Sequence, residues 1–178
     1  MKYYIVSGEA SGDLHASNMM KEIKKNDPQA VFRCWGGDLM EAQGATIVKH
    51  YRDLAFMGFI DVILNIRTIF KNIAFCKKDI KNYNPDVVIL VDYPGFNLRI
   101  SNYVRNILKI KTFYYISPTV WAWNPSRAKT IMKTVDAMFV IFLFEEKWYQ
   151  EHFNYPVHFV GHPLLDAIEE RKNSPEAL

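Results

Sequence analysis

Cysteine is scarce in this chain. The two residues, Cys34 and Cys76, lie far apart in apolar surroundings, which excludes a disulfide framework and any Cys-x-x-Cys redox or metal site. Two buried thiols in a reducing, cytoplasmic compartment are expected. Of the five histidines (His15, His50, His152, His158, His162) only His158 and His162 stand four residues apart, in a strand-and-Gly-Pro setting rather than on a helical pattern, so no metal site and no cofactor are expected. No Gly-x-Ser-x-Gly elbow is present, which removes the common signature of a serine nucleophile. Gly-x-Gly-x-x-Gly and Walker loops are missing as well, and no nucleic-acid-binding motif has its proper spacing, so no nucleic acid partner is expected. The chain opens on a strand pattern with no basic-then-apolar leader before it. Long apolar runs are also missing. Ala137 to Phe144 is only strand-sized, and the stretch from Leu54 to Phe75 is broken by Asp61, Arg67 and Lys71.

What is present is ample core material. Of 178 residues, 49% are hydrophobic, too many for a disordered chain and enough for one domain. Strand-like runs at Tyr3–Ser7, Ala30–Trp35, Thr46–Val48, Val87–Val91, Thr112–Ile116, Ala137–Ile141 and Val157–Val160 alternate with helical patterns. The helices are expected at Asp13–Lys25, Leu39–Ala42, Ile60–Lys81, Leu98–Leu108, Pro125–Thr134 and Glu145–His152. Such alternation predicts an α/β fold, a Rossmann-like doubly wound parallel sheet covered by helices on both faces. The domain is expected over 1–168, with the polar, Pro-containing tail 169–178 as a linker or the truncated start of a second domain.

The run Asp86-Val87-Val88-Ile89-Leu90-Val91 has the character of a strand buried on both faces. It stops on Asp92, and Pro94 and Gly95 then break the backbone before Asn97. Open α/β sheets bind ligands outside the carboxyl ends of their strands, so Asp92 is placed to act as a general base. A turn or helix-cap role is the plainer alternative. Asp86 is expected to fix the start of the same strand.

The first turn reads Ser7-Gly8-Glu9-Ala10-Ser11-Gly12-Asp13. Glu9 and Asp13 would repel a phosphate at the helix start, whereas carboxylates accept hydrogen bonds from sugar hydroxyls. Glu9, Ser11, Gly12 and Asp13 are therefore candidate site residues, with capping by Ser11 or Asp13 as the alternative. Gly36-Gly37-Asp38 ends the second strand and serves either a turn or a ligand. Ser117-Pro118-Thr119-Val120-Trp121-Ala122-Trp123 ends another strand. Its indoles either pack or stack on a sugar or acyl chain, and Arg127 follows on the next helix.

Net charge is +3, but the segment 65–82 holds Arg67, Lys71, Lys77, Lys78 and Lys81 against Asp79 alone, so the rest of the chain sums to −1. Phe59, Ile63, Ile66, Phe70 and Ile73 form a helical stripe there, widened by Phe56, Ile60, Val62 and Ile69. Part of that surface must cover the sheet. Its excess width beside the cations points to an anionic membrane surface, with Phe56, Phe59, Ile63, Arg67, Phe70, Lys71, Lys77 and Lys78 as contacts.

Gly8-Glu9-Ala10-Ser11-Gly12-Asp13, Met57-Gly58, Asp92-Tyr93-Pro94-Gly95-Phe96-Asn97, Ser117-Pro118-Thr119-Val120-Trp121-Ala122-Trp123 and Gly161-His162-Pro163 occur in one order. Together they closely resemble the N-terminal half of the lipid-A-disaccharide synthase family, and the resemblance spans essentially the whole chain. It implies the acceptor-side domain of a two-domain GT-B glycosyltransferase. The implied reaction moves 2,3-diacylglucosamine from UDP-2,3-diacylglucosamine to the 6-hydroxyl of 2,3-diacylglucosamine 1-phosphate, inverting and without a metal. Asp92 would be its base, with Glu9 in reserve. Ser11, Gly12, Asp13, Asn97, Ser117, Trp121, Trp123 and Arg127 would bind substrate. UDP would be held mainly by a second half beyond this chain. A peripheral place on the inner face of the bacterial inner membrane follows, and a homodimer is left open. Two other readings remain: another GT-B transferase or UDP-sugar epimerase with a soluble substrate, and a nucleotide-binding regulatory module.

Overall fold

The computed structural model describes residues 1–54, 66–118 and 126–165. Seven parallel strands form one sheet: β1 (Lys2–Ser7), β2 (Val31–Gly36), β3 (Thr46–His50), β4 (Val87–Val91), β5 (Lys111–Tyr115), β6 (Ala137–Val140) and β7 (His158–Phe159). Their order is β3-β2-β1-β4-β5-β6-β7. The helices are α1 (Ala10–Asn26), α2 (Asp38–Ala42), α3 (Ile66–Tyr83), α4 (Pro94–Tyr103), α5 (Ser126–Thr134) and α6 (Leu143–Phe153).

The chain runs outward from β1 to β3, then crosses back and continues from β4 to β7. Right-handed crossovers therefore put helices on opposite faces for the two halves. Ala16 and Met20 of α1 and Met40 of α2 pack with Ile5, Cys34 and Ile89 on one face. Ile73, Cys76 and Ile80 of α3, Phe96 and Ile100 of α4, Ile131 of α5 and Tyr149 of α6 cover the other. Every residue of β4 is buried, which accounts for its unbroken apolar run. Both cysteines are buried and free, and burial pushes both thiols far up, so they act as small core hydrophobes.

Asp86 does fix a strand start. Its carboxylate accepts the Lys2 N–H at 2.7 Å, and its own N–H donates to the Lys2 carbonyl. A second anchor ties β1, β2 and α3 together. Arg33 grips Asp79 with two bonds of 2.7 and 2.8 Å, the Tyr4 hydroxyl donates to the same carboxylate, and the Trp35 indole N–H donates to Tyr4.

Four helices begin earlier than their patterns suggest, α2 by one residue, at Asp38 rather than Leu39. α1 starts at Ala10 rather than Asp13, with Glu9 as N-cap and no side-chain cap bond. Neither Ser11 nor Asp13 caps it. α4 starts at Pro94 rather than Leu98, because proline's fixed φ suits the first helical position, and it passes through a π-helical turn at Val104–Leu108. α6 starts at Leu143, where the Glu145 carboxylate folds back onto the Phe142 N–H. Of the helix expected from Ile60, residues 60–65 lie outside the described residues, as does the expected linker 169–178.

Candidate active site at the sheet switch point

The strand order reverses between β1 and β4, so the crevice there opens between the Gly8-Glu9 turn and the Asp92-Tyr93 turn. Asp92 and Tyr93 have φ of +44° and +48°, and Ile116, at the end of neighbouring β5, has +65°. Left-handed conformations in non-glycine residues are uncommon, and for β-branched Ile116 one is a true outlier. Such strain costs about 1–3 kcal/mol per residue and concentrates at functional sites.

The Asp92 peptide is held from both ends. Its N–H donates to the Tyr115 carbonyl at 3.1 Å. Its carbonyl accepts the Tyr114 hydroxyl at 2.5 Å and the Asn97 amide at 2.7 Å. The side chain is only part-exposed. Burial first, and the nearby Glu9 carboxylate second, push its carboxyl above the usual carboxylate range. A carboxylate raised in this way is a stronger base. Glu9 is exposed on the facing turn. Asp92 and Glu9 are thus close enough for their charges to interact.

Four of the expected substrate contacts are buried within the domain. Asp13 is 2% exposed, and its carboxylate accepts the N–H groups of Gly37, Leu39 and Met40 at 2.8, 3.1 and 3.2 Å. It caps α2 from the neighbouring helix. That also reads Gly36-Gly37-Asp38 as structural: a Cβ on Gly37 would collide with Tyr51 and Asp13. Gly12 is buried against the Ser7 hydroxyl with no room for a Cβ. Asn97 is fully buried, and its amide donates to the carbonyls of Val6, Val91 and Asp92. Ser117 is buried too, with its hydroxyl on the Pro118 carbonyl and 3.1 Å from the Tyr149 hydroxyl. The side chains of Asp13, Asn97 and Ser117 thus bond within the domain, although the buried Asn97 Oδ1 has no hydrogen-bond partner among the described residues, and Gly12 serves close packing.

Ser11 is exposed on the first turn of α1, and Arg127 is half-buried at the start of α5. The phenol of Tyr114 is held well above its ordinary range, by burial first and Asp92 next, with Arg127 a weaker opposing influence. Arg127 therefore belongs to the same neighbourhood. Trp121 and Trp123 lie outside the described residues. Sequence reasoning missed Tyr114 and Tyr149; the signal was a tyrosine on the core-facing phase of β5, whose hydroxyl needs a partner when buried.

A second surface is carried by α3. Ile66, Phe70 and Phe75 are 50%, 56% and 46% exposed, and Arg67, Lys71, Lys78 and Lys81 stand exposed beside them. Asp79, the only anion of the helix, is turned inward to Arg33. The apolar stripe splits, however: Ile73 joins Cys76 and Ile80 in the core, while Ile66 and Phe70 face outward. The Lys77 ammonium sits 5.2 Å over the Tyr103 ring, so it is a poorer surface contact than its neighbours. Phe56, Phe59 and Ile63 fall outside the described residues. Among the described residues no helix is long and apolar enough to cross a membrane.

The sequence pattern described as lipid-A-disaccharide synthetase matches residues 3–177. The chain belongs to the lipid-A-disaccharide synthetase family. It is 42% identical over 174 residues to a lipid-A-disaccharide synthase of Geobacter metallireducens, covering 98% of this chain and 45% of that protein. A lipid-A-disaccharide synthase 1 of Legionella pneumophila strain Paris is 38% identical, covering 95% and 44%. The chain thus spans less than half the length of these curated relatives. The fold is shared more widely. A UDP-GlcNAc 2-epimerase of Methanocaldococcus jannaschii, in complex with UDP-GlcNAc and UDP, superposes with a TM-score of 0.67 at 12% identity, over 99% of this chain and 52% of that one. In this family member, then, the Rossmann-like N-terminal portion places Asp92 and Glu9 across the switch-point crevice.

Proposed function

We propose that the protein carrying this chain is the glycosyltransferase that its family name describes, with residues 1–168 as the acceptor-side domain. It transfers 2,3-diacylglucosamine from UDP-2,3-diacylglucosamine to 2,3-diacylglucosamine 1-phosphate. The observation that carries the site is Asp92: strained, half-buried, raised in basicity and set at the switch point. In a single displacement, the acceptor's 6-hydroxyl attacks the anomeric carbon. The bond from that carbon to the UDP oxygen breaks, UDP leaves with its electron pair, and the hydroxyl proton passes to Asp92. The configuration inverts. Glu9 keeps Asp92 basic and is available to a sugar hydroxyl, as are Ser11 and Arg127; Trp121 and Trp123 are offered as acceptor contacts from the sequence alone.

The outward face of α3 supports docking on an anionic bilayer: exposed apolar side chains between cations, with the single anion withdrawn. The protein would lie on the inner face of the inner membrane, where a lipid acceptor is presented. A homodimer is compatible with this reading. The test is transfer by the full-length protein with both lipid substrates. Disaccharide with release of UDP supports the proposal. Interconversion of a UDP-sugar without transfer would replace it with an epimerase reading.

A further inference from the structure

Asp92 could serve as a base only if its backbone stays in a conformation that the chain does not favour. Two consecutive left-handed residues, Asp92 and Tyr93, turn β4 sharply into α4. Released from its neighbours, such a turn relaxes toward ordinary backbone, and the carboxylate swings toward water.

Two side chains oppose that relaxation by gripping the same atom. The Tyr114 hydroxyl donates to the Asp92 carbonyl at 2.5 Å and the Asn97 amide at 2.7 Å. Both residues are fully buried, so neither can touch a substrate. Asn97 does more. The same amide nitrogen lies 3.2 Å from the Val91 carbonyl and 3.4 Å from the Val6 carbonyl. It therefore gathers the carboxyl ends of β4 and β1, the two strands whose divergence opens the crevice. Tyr114 comes from the next strand, and burial keeps its phenol protonated and thus a donor.

We propose that Asn97 and Tyr114 are positioning residues that lock the strained Asp92 peptide so that its carboxylate stays aimed into the switch-point crevice. This rests on Asp92 being the base. The mildest probe is Tyr114→Phe, which removes one hydroxyl and leaves the ring in the core. In the full-length protein it should lower kcat about tenfold, the scale of one lost hydrogen bond, with KM for both substrates within about twofold. The acid limb of the pH–rate profile should move to lower pH, because a freed Asp92 is better solvated and less basic. Asn97→Leu, which removes the amide donors at similar size without adding a charge, should show the same pattern more strongly.

Two results would overturn the proposal. One is Tyr114→Phe with near-wild-type kcat and an unmoved acid limb. The other is a kcat loss that tracks lost thermal stability while the limb stays put, the mark of a merely structural role. The base reading is checked separately by adding Tyr114→Phe to Asp92→Asn. If the base assignment holds and the lock acts through it, the second change costs nothing further. If Asp92→Asn alone stays active, the base reading fails first, and the lock with it.

Discussion

The ring of Tyr93 lies where a Cβ on Gly8 would have to sit. An added methyl group at Gly8 would come within 2.5 Å of the Tyr93 Cδ1 atom. The ring cannot simply step aside, because it stacks on Phe96 at 5.5 Å between centroids. The glycine in the first turn therefore serves the facing turn, the one that carries Asp92.

Gly8→Ala should for that reason damage transfer by displacing Tyr93 and, through it, Asp92. A loss of about 10- to 100-fold in kcat is expected, the scale reported for misplacing a reacting group by an ångström. Gly95→Ala is the control, since a Cβ there meets nothing within 4 Å. Steady-state kinetics of the two variants should separate cleanly.

Asp13 predicts a stability effect. Asp13→Ala leaves three N–H groups of the α2 start, two of them buried, without their acceptor. The expected cost is about 1–3 kcal/mol, read as a lower urea midpoint with an unchanged slope. Asp13→Asn should lose less, because one oxygen remains. If Asp13→Ala instead left stability intact and raised KM, the carboxylate would be a substrate ligand after all.

Asp92 links activity and stability to pH with definite signs. Its folded pKa is raised, so the native state binds more protons than the unfolded chain in the interval between the two values. Stability from this group is present below the unfolded pKa and is lost as pH rises through the folded one. Asp92→Asn should then be slightly more stable than wild type at neutral pH while being far less active. Glu9→Gln removes the like charge, so the acid limb of kcat/KM should shift to lower pH.

The face of α3 predicts salt-sensitive membrane binding. Each cation near an anionic surface contributes on the order of 1 kcal/mol. Replacing Lys71 and Lys78 by Glu should abolish co-sedimentation with anionic vesicles at moderate salt, and Phe70→Ser should weaken it less steeply. Equal partitioning of all three proteins would leave α3 as sheet cover only. Lys77→Glu should matter less than Lys78→Glu, given where its ammonium rests.

Much of the architecture was legible in local patterns. The unbroken apolar run Val87–Val91 announced a central strand, and the abrupt Asp92-Tyr93-Pro94 announced its end at a crevice. The split of core and surface on α3 was half-legible, since Ile73 and Phe70 look alike in composition and differ only in angle around the helix. What escaped was long-range. Asp13 meets its partners 24 to 27 residues away, and Asn97 reaches a carbonyl 91 residues away. No short window contains both ends of such a bond, so a buried clamp and an exposed ligand look the same in sequence. Pro94 at the start of α4 was readable by its own geometry and places that helix four residues earlier than hydrophobic spacing does.

The most direct test of the account is the transfer rate of Asp92→Asn in the full-length protein, measured with both lipid substrates and with folding checked alongside. Asparagine keeps the shape and removes the basicity. Loss of a general base costs about 100- to 10,000-fold in rate, and that loss is the expected result, with KM little changed. A folded variant that kept about a third or more of wild-type turnover would contradict the assignment of Asp92 and the positioning network built around it.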